Sequence, residues 1–193
     1  AGLSDVNTPK TPVKQIYDQV IIPDLLEAEK APMPWRRTNG EVSKGLVKAL
    51  LADVYLTYAG FPVNGGQAAY AESAKRSKEL VDLRTSTFPL FKEYREMLLP
   101  SNKNSGEFIF QVQFDKVNRN NPLTPVVLPT FAGISKYANE FGGLVPRIEF
   151  IRSYEPNDKR VAEKQYYFTE YNGKQLGGHY IYKWFDKVAV DLD

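Results

Sequence analysis

Cysteine is absent from this sequence, and histidine occurs once, at His179. Without cysteine there is no disulfide framework, no thiolate nucleophile and no thiolate-bound zinc. One imidazole cannot build a histidine-rich metal site. The missing cysteine leaves the compartment open, because a chain facing an oxidising exterior can avoid free thiols as readily as a cytosolic chain keeps them. Long hydrophobic runs are also lacking: no stretch of about 18 apolar residues is present to span a bilayer as a helix. Nor is there a large charge of one sign. The chain carries 25 Lys and Arg against 23 Asp and Glu, a net charge of +2. A binder of phosphate backbones gathers its cations on one face, whereas here acids interleave with them, so nucleic acid is excluded as a partner. The basic clusters Trp35-Arg36-Arg37 and Lys183 to Lys187 read as solvated surface.

Catalytic signatures are missing as well. There is no H-E-x-x-H helix, no EF-hand loop and no G-x-S-x-G elbow. Gly65-Gly66 and Gly142-Gly143 lack the G-K-[ST] continuation of a phosphate loop. No catalytic residue, metal site or cofactor is therefore expected, and His179 beside Gly178 reads as a surface or hydrogen-bonded residue rather than a base. A glycoside hydrolase requires two carboxylates flanking one sugar. With 23 acids in the chain some pair can always meet that demand, so this reading stays open behind two others. The acids themselves sit at helix starts or beside bases, as in Glu27-Ala28-Glu29-Lys30 and Glu155-Pro156-Asn157-Asp158-Lys159-Arg160, and read as caps and surface pairs.

What is present is a chain of 193 residues with 42% hydrophobic composition, enough for one domain burying roughly 70% of its unfolded surface. It contains 12 Tyr, 11 Phe and 2 Trp, more aromatic surface than a small core requires. An aromatic ring offers a flat apolar face, and Tyr and Trp add a polar edge. That pairing suits sugar rings, which stack through their C–H faces while their hydroxyls demand hydrogen bonds. Packing in the core is the alternative use for each ring taken singly.

Helical periodicity dominates the first half. Val13, Ile16, Tyr17, Val20 and Ile21 predict a helix entered at Pro12, with Pro23 kinking or interrupting it before Leu25 and Leu26. Residues 31–37 read as a loop. Thr38-Asn39-Gly40-Glu41 has capping-box spacing, and Ser43 is a second N-cap candidate. A strong helix follows from about Val42 to Ala59, with a stripe of Leu46, Val47, Leu50, Leu51, Val54, Tyr55 and Tyr58. Ala49 and Ala52 leave room for a neighbouring helix. Gly60-Phe61-Pro62-Val63-Asn64-Gly65-Gly66 ends it. Ala68 to Leu83 predicts a second amphipathic helix, with Tyr70, Ala74, Ser77 or Lys78, and Val81 at helical intervals, making an antiparallel pair of tetratricopeptide type.

Past Leu83 the pattern changes. Phe91 to Leu98 suggests a short helix. Phe108, Phe110, Val112 and Phe114 alternate with Gln111 and Gln113, which predicts a strand with one buried face. Residues 115–147 are irregular and rich in Asn, Pro and Gly, and a loop of that length in a compact domain is usually functional or disordered. Tyr166-Tyr167-Phe168 and His179 to Phe185 predict short strands around a Gly177-Gly178 turn. The candidate ligand contacts are Asn118, Arg119, Asn120 and Asn121, whose amides and guanidinium can bracket vicinal hydroxyls. Tyr137, Phe141 and Trp184 supply ring faces. A hydrogen-bonded turn with anchoring aromatics is the competing reading of 118–141. Trp35 reads as packing.

Five ordered segments resemble one family. Val13-Lys14-Gln15-Ile16-Tyr17-Asp18-Gln19-Val20-Ile21 leads into Ser43-Lys44-Gly45-Leu46-Val47-Lys48-Ala49-Leu50-Leu51-Ala52-Asp53-Val54-Tyr55-Leu56. The helix Tyr70 to Val81 follows, then Gly106-Glu107-Phe108-Ile109-Phe110-Gln111-Val112-Gln113. Last comes Glu149-Phe150-Ile151-Arg152-Ser153-Tyr154-Glu155 with Asp158-Lys159-Arg160. Together they are similar to the SusD/RagB family of outer-membrane nutrient-binding lipoproteins. The resemblance implies a mainly α fold, a SusD-like α-α superhelix of tetratricopeptide-like helical pairs with long irregular loops and a few short strands.

It also implies function: non-catalytic binding of oligosaccharide or polysaccharide at the cell surface, for delivery to a SusC-like TonB-dependent transporter. The expected location is the outer membrane, through a lipid anchor outside this chain. The chain opens Ala1-Gly2-Leu3 and lacks the family's lipidated cysteine and C-terminal helices. It is therefore expected to be an incomplete single domain over 1–193, with a helical region at 13–83 and a loop-rich ligand side at 84–193. The competing function is a tetratricopeptide-like scaffold that docks the transporter without a ligand of its own.

Overall fold

The computed structural model describes residues 9–114, 119, 123–127 and 142–185. The chain divides into two compact units, Ala1–Leu90 with Asn104–Gln111, and Phe91–Lys103 with Val112–Asp193.

The first unit is helical. α1 (Val13–Ile16) runs into a π-helical turn, Tyr17–Ile21, and on into α2 (Ile22–Lys30). Pro23 lies at the start of α2 rather than breaking the helix. Its ring removes one N–H and crowds the carbonyl four residues back. The widened turn absorbs this, and the Ile22 N–H reaches the Tyr17 carbonyl five residues back.

α3 (Lys44–Ala59) starts at Ser43, whose Oγ accepts the Leu46 N–H at 3.3 Å. The capping-box spacing at Thr38 is not used, and the helix begins two residues later than its apolar pattern suggested. α4 (Gly66–Val81) packs against α3, and α3 packs against α2. Bonds between Gly65 and Tyr58, Ser73 and Ala52, and Lys48 and Glu79 pair descending with ascending positions, so α3 and α4 are antiparallel.

The buried face of α3 carries Gly45, Val47, Leu51, Ala52 and Ala59, as its stripe predicted in part, while Leu50 is exposed. α4 corrects the sequence reading more sharply. Its buried positions are Ala69, Ser73 and Arg76, and Tyr70 and Val81 face solvent. A serine and an arginine occupy the inward face because both find partners there, although Arg76 Nε makes no hydrogen bond. Ser73 Oγ donates to the Ala52 carbonyl. Arg76 pairs with Glu72 and lies 3.4 Å from Glu29, with its guanidinium 4.9 Å from the centre of the Tyr55 ring.

Arg36 is a second correction, since it is half-buried rather than solvated. It donates to the carbonyls of Thr87, Asn104 and Gly106 and stacks 4.7 Å from the Phe88 ring centre. Burial lowers its pKa.

The second unit holds the sheet. β1 (Tyr167–Tyr171) pairs antiparallel with β2 (Lys174–Ile181). The turn is Asn172-Gly173, both left-handed, with φ of 49° and 78°, the two-residue connection that matches strand twist. Gly177-Gly178 is not the turn. Gly177, at φ 72°, lies inside β2 where the register slips between Phe168 and Glu170. Glu163 covers the unpaired edge there, accepting the Thr169 N–H at 2.7 Å and the Glu170 N–H at 3.2 Å. Phe168, Tyr171, Leu176, Tyr180, Tyr182 and Phe185 form the core, with Leu98 against it. Two short α-helices, α5 (Leu123–Val127) and α6 (Ile148–Arg152), and 3-10 turns at Tyr94–Leu98, Pro100–Asn102 and Lys159–Val161 complete the described elements.

The strand expected over Phe108 to Phe114 is not formed. Among the described residues this segment pairs with no strand, and Phe110, Val112 and Phe114 stay exposed. Alternation describes a surface that can be half-buried; a strand also needs a partner ladder, and the described residues supply none.

Candidate functional site

Of the contacts expected from sequence, Asn118, Asn120, Asn121, Tyr137 and Phe141 lie outside the described residues. Arg119 is exposed. Trp184 is 39% exposed, with the Lys183 ammonium 5.9 Å from its ring centre. Trp35 is half-buried, with the Lys44 ammonium 5.8 Å from its ring. His179 packs its ring 5.0 Å from that of Tyr167.

The second unit also gathers a set of side chains that sequence reasoning did not single out: Tyr94, Phe150, Tyr154, Arg160 and Tyr166. Phe150 lies on α6 and Tyr154 four residues on, where the helical repeat sets their rings edge to face at 5.3 Å. Tyr166 reaches the same Phe150 ring at 6.3 Å. It stands just before β1, held there because its carbonyl accepts the Tyr182 N–H at 2.8 Å. Arg160 lies on the 3-10 turn capped by Asp158, and its guanidinium sits 4.6 Å from the Tyr154 ring centre.

Tyr94 enters from a 3-10 turn whose start is fixed by a reciprocal cap between Glu93 and Glu96. Lys159 ties Glu93 to the turn of Arg160 at 3.1 Å. Burial raises the Tyr94 phenol pKa, and Tyr166, Arg160 and Tyr154 all lie close enough to act on it electrostatically.

Hydrogen-bond supply separates this cluster from the other tyrosine pair. Tyr17 and Tyr58 also meet edge to face, at 5.6 Å, but the Tyr58 hydroxyl is engaged by Lys14 at 2.9 Å and Asp18 at 2.8 Å. The hydroxyls of Tyr94, Tyr154 and Tyr166 bond to no protein group among the described residues, and neither does Nη1 of Arg160. All are reachable from solvent, since the buried unpartnered side-chain atom among the described residues is Arg76 Nε. Phe150 adds a ring that is 50% exposed. Three phenols, a guanidinium edge and an apolar face can therefore take hydroxyl groups and a C–H surface together.

The Asp158 carboxylate grips the Nε and Nη2 side of Arg160, with Nε at 2.9 and 3.1 Å. These bonds hold the Asp158 carboxyl down to a pKa of about 2 and raise that of Arg160. Among the described residues no group of three His, Cys, Asp or Glu is placed to hold a metal ion. The hollow at the end of α2, lined by Asp24, Glu27, Ala28, Lys30 and Ala31, has no aromatic wall. The spacing of Phe150 and Tyr154 was visible in the sequence. Tyr94 and Tyr166, more than 70 residues apart in the chain, were not connected to them by any pattern.

A mainly helical chain with a tetratricopeptide-like hairpin, long loops and, among the described residues, one short sheet defines the class. No protein-family model and no curated protein matches the chain. A solved structure does: the crystal structure of a SusD superfamily protein from Parabacteroides distasonis ATCC 8503, 48% identical, with a TM-score of 0.88. The match covers 98% of this chain and 43% of that one. The chain belongs to the SusD superfamily, and it spans less than half the length of this relative.

Proposed function

We propose that this chain is part of a non-catalytic cell-surface receptor that binds oligosaccharide and passes it to a SusC-like TonB-dependent transporter. The observation that carries the reading is the cluster of Tyr94, Phe150, Tyr154, Arg160 and Tyr166, where ring faces stand beside phenol hydroxyls and a guanidinium Nη1 edge not bonded to described protein groups. Membership in the SusD superfamily supports it. The helical region at 13–83 serves as scaffold and residues 84–193 as the ligand side of one domain. Arg119, Trp184, Asn118, Asn120, Asn121, Tyr137 and Phe141 are proposed as further contacts. No helix among the described residues is long and apolar enough to cross a membrane. Attachment to the outer membrane is assigned to a lipid anchor outside these residues.

Calorimetry against a glycan panel, with Tyr154→Ala as control, tests the reading. Binding in the micromolar range and a loss of about tenfold in the variant, the cost of about 1.4 kcal/mol typical of a contributing interface residue, are expected. Turnover of a glycan with no stable binding would sink it in favour of hydrolysis.

A docking scaffold is the second reading. Val13, Ile16 and Val20 are exposed along one side of the α1 and π-turn segment, and such a stripe suits a protein partner. Retention of the transporter by a chain that binds no glycan would favour it.

A further inference from the structure

We propose that the ligand segment bound at the Tyr94–Phe150–Tyr154–Arg160–Tyr166 cluster is uncharged, and that uronate and sulfated sugars are disfavoured there. The inference rests on the glycan-binding reading and adds the charge class of the sugar.

Arginine takes a ligand carboxylate best through two parallel N–H bonds with its charge uncompensated. Arg160 keeps N–H groups at its Nη1/Nη2 end, but its charge is already compensated. Asp158 holds its Nε and Nη2 side in a fork. That carboxylate would also face any anionic group brought to the Nη1 edge. With Asp158 ionised down to about pH 2, the pair stays neutral as a unit throughout the physiological range.

Two neighbouring lysines are committed too. Lys159 on the same turn pairs with Glu93, and Lys164 pairs with Glu170. The Glu163 carboxylate bonds to Thr169 and Glu170 without a cation, adding negative charge to the turn that follows. Arg152 at the end of α6 is followed by Glu155 just past Tyr154, so the exposed flank of Tyr154 carries both signs.

What remains at the cluster is dipolar. Three phenols can donate or accept, and Nη1 can donate, which matches sugar hydroxyls. The Phe150 and Tyr154 faces suit the C–H side of a pyranose.

Calorimetry on the full chain tests this with matched oligosaccharides of one linkage: methyl-esterified oligogalacturonides against their free-acid forms, and glucan oligomers against their sulfated forms. The expected result is that neutral members bind at least tenfold tighter than acidic ones. Their Kd should change less than twofold between about 50 and 500 mM salt. Tyr154→Ala and Phe150→Ala should each weaken neutral binding about tenfold. Asp158→Asn keeps an acceptor for the Arg160 N–H while uncovering the guanidinium charge, and should narrow the preference against acidic members at least fivefold. Circular dichroism establishes that each variant is folded. Tighter binding of the acidic members, or a Kd rising steeply with salt, overturns the proposal while leaving glycan binding intact. Binding untouched by both aromatic variants overturns this placement of the site. Absence of binding to every member overturns the glycan reading and this inference with it.

Discussion

The hydroxyl of Ser73 donates a 2.7 Å hydrogen bond to the carbonyl oxygen of Ala52, joining the buried faces of α4 and α3. The bond lets a polar side chain stand on the buried face, where a serine occupies little more space than the Ala69 that precedes it there. Ser73→Ala removes the donor without adding volume and should cost about 1 kcal/mol. Ser73→Leu forces the helices apart and should cost about 2–3 kcal/mol. Urea denaturation measures both; a leucine variant as stable as the wild type would show that the contact is not tightly packed.

Arg76 is 5% exposed and its pairing with Glu72 and Glu29 is partly sheltered. Removing one member of a buried ionic set leaves the others uncompensated, which costs more than the set contributes when intact. Arg76→Ala should destabilise the chain by about 2–3 kcal/mol, a figure kept low because Glu72 remains partly solvated. Arg76→Met retains the apolar stem over Tyr55 and should lose less. Equal losses for both variants would place the effect in packing rather than charge.

The same network sets an acid limit. Burial alone would raise the Glu29 carboxyl, but Lys48 and Arg76 hold it below its ordinary value of 4.5. A carboxyl depressed in the folded state stabilises the fold above its unfolded pKa, and that contribution is lost as pH falls through the folded value. The thermal midpoint should be flat from about pH 7 to 5 and decline below about 4.5, where Glu29 begins to take up its proton in the unfolded chain. Glu29→Gln should flatten the decline while lowering stability at pH 7. A variant with the wild-type slope would show that other carboxyls control it.

Gly45 stands on the second position of α3, where a Cβ would meet the Trp35 carbonyl oxygen at 2.6 Å and the Phe88 ring at 2.7 Å. Alanine in a helix is ordinarily favoured over glycine by about 1 kcal/mol. Here the backbone oxygen cannot move aside cheaply, so Gly45→Ala should destabilise by about 1–3 kcal/mol. A gain in stability would mean that the 34–36 loop yields freely.

Gly173 has φ 78° and open space where a Cβ would lie. Gly173→Ala therefore isolates the backbone cost of a left-handed residue, about 1 kcal/mol. Hydrogen exchange of the β1 and β2 amides should quicken, and amides of α3 and α4 should be unaffected.

How far the sequence could be read follows from which forces are local. The helix pair was visible because Val47, Leu51 and the small residues recur at helical spacing, and Ser43 was a named cap. The face of α4 was misread because periodicity scores apolar residues, and Ser73 and Arg76 are held inside by partners on other helices. Asn172-Gly173 carried a hairpin signal in the chain, yet Gly177-Gly178 drew the assignment; the bulge that uses Gly177 exists only once β1 is alongside.

Local propensity, turn chemistry and family motifs were thus enough to establish a mainly helical member of the SusD superfamily, because each depends on residues a few positions apart. The tertiary structure alone decided that Tyr94 and Tyr166 join Phe150 and Tyr154, and that Ser73 and Arg76 face inward on α4. Those outcomes depend on groups distant in the chain meeting in space, where hydrogen-bond partners and compensating charges are settled by packing rather than by spacing.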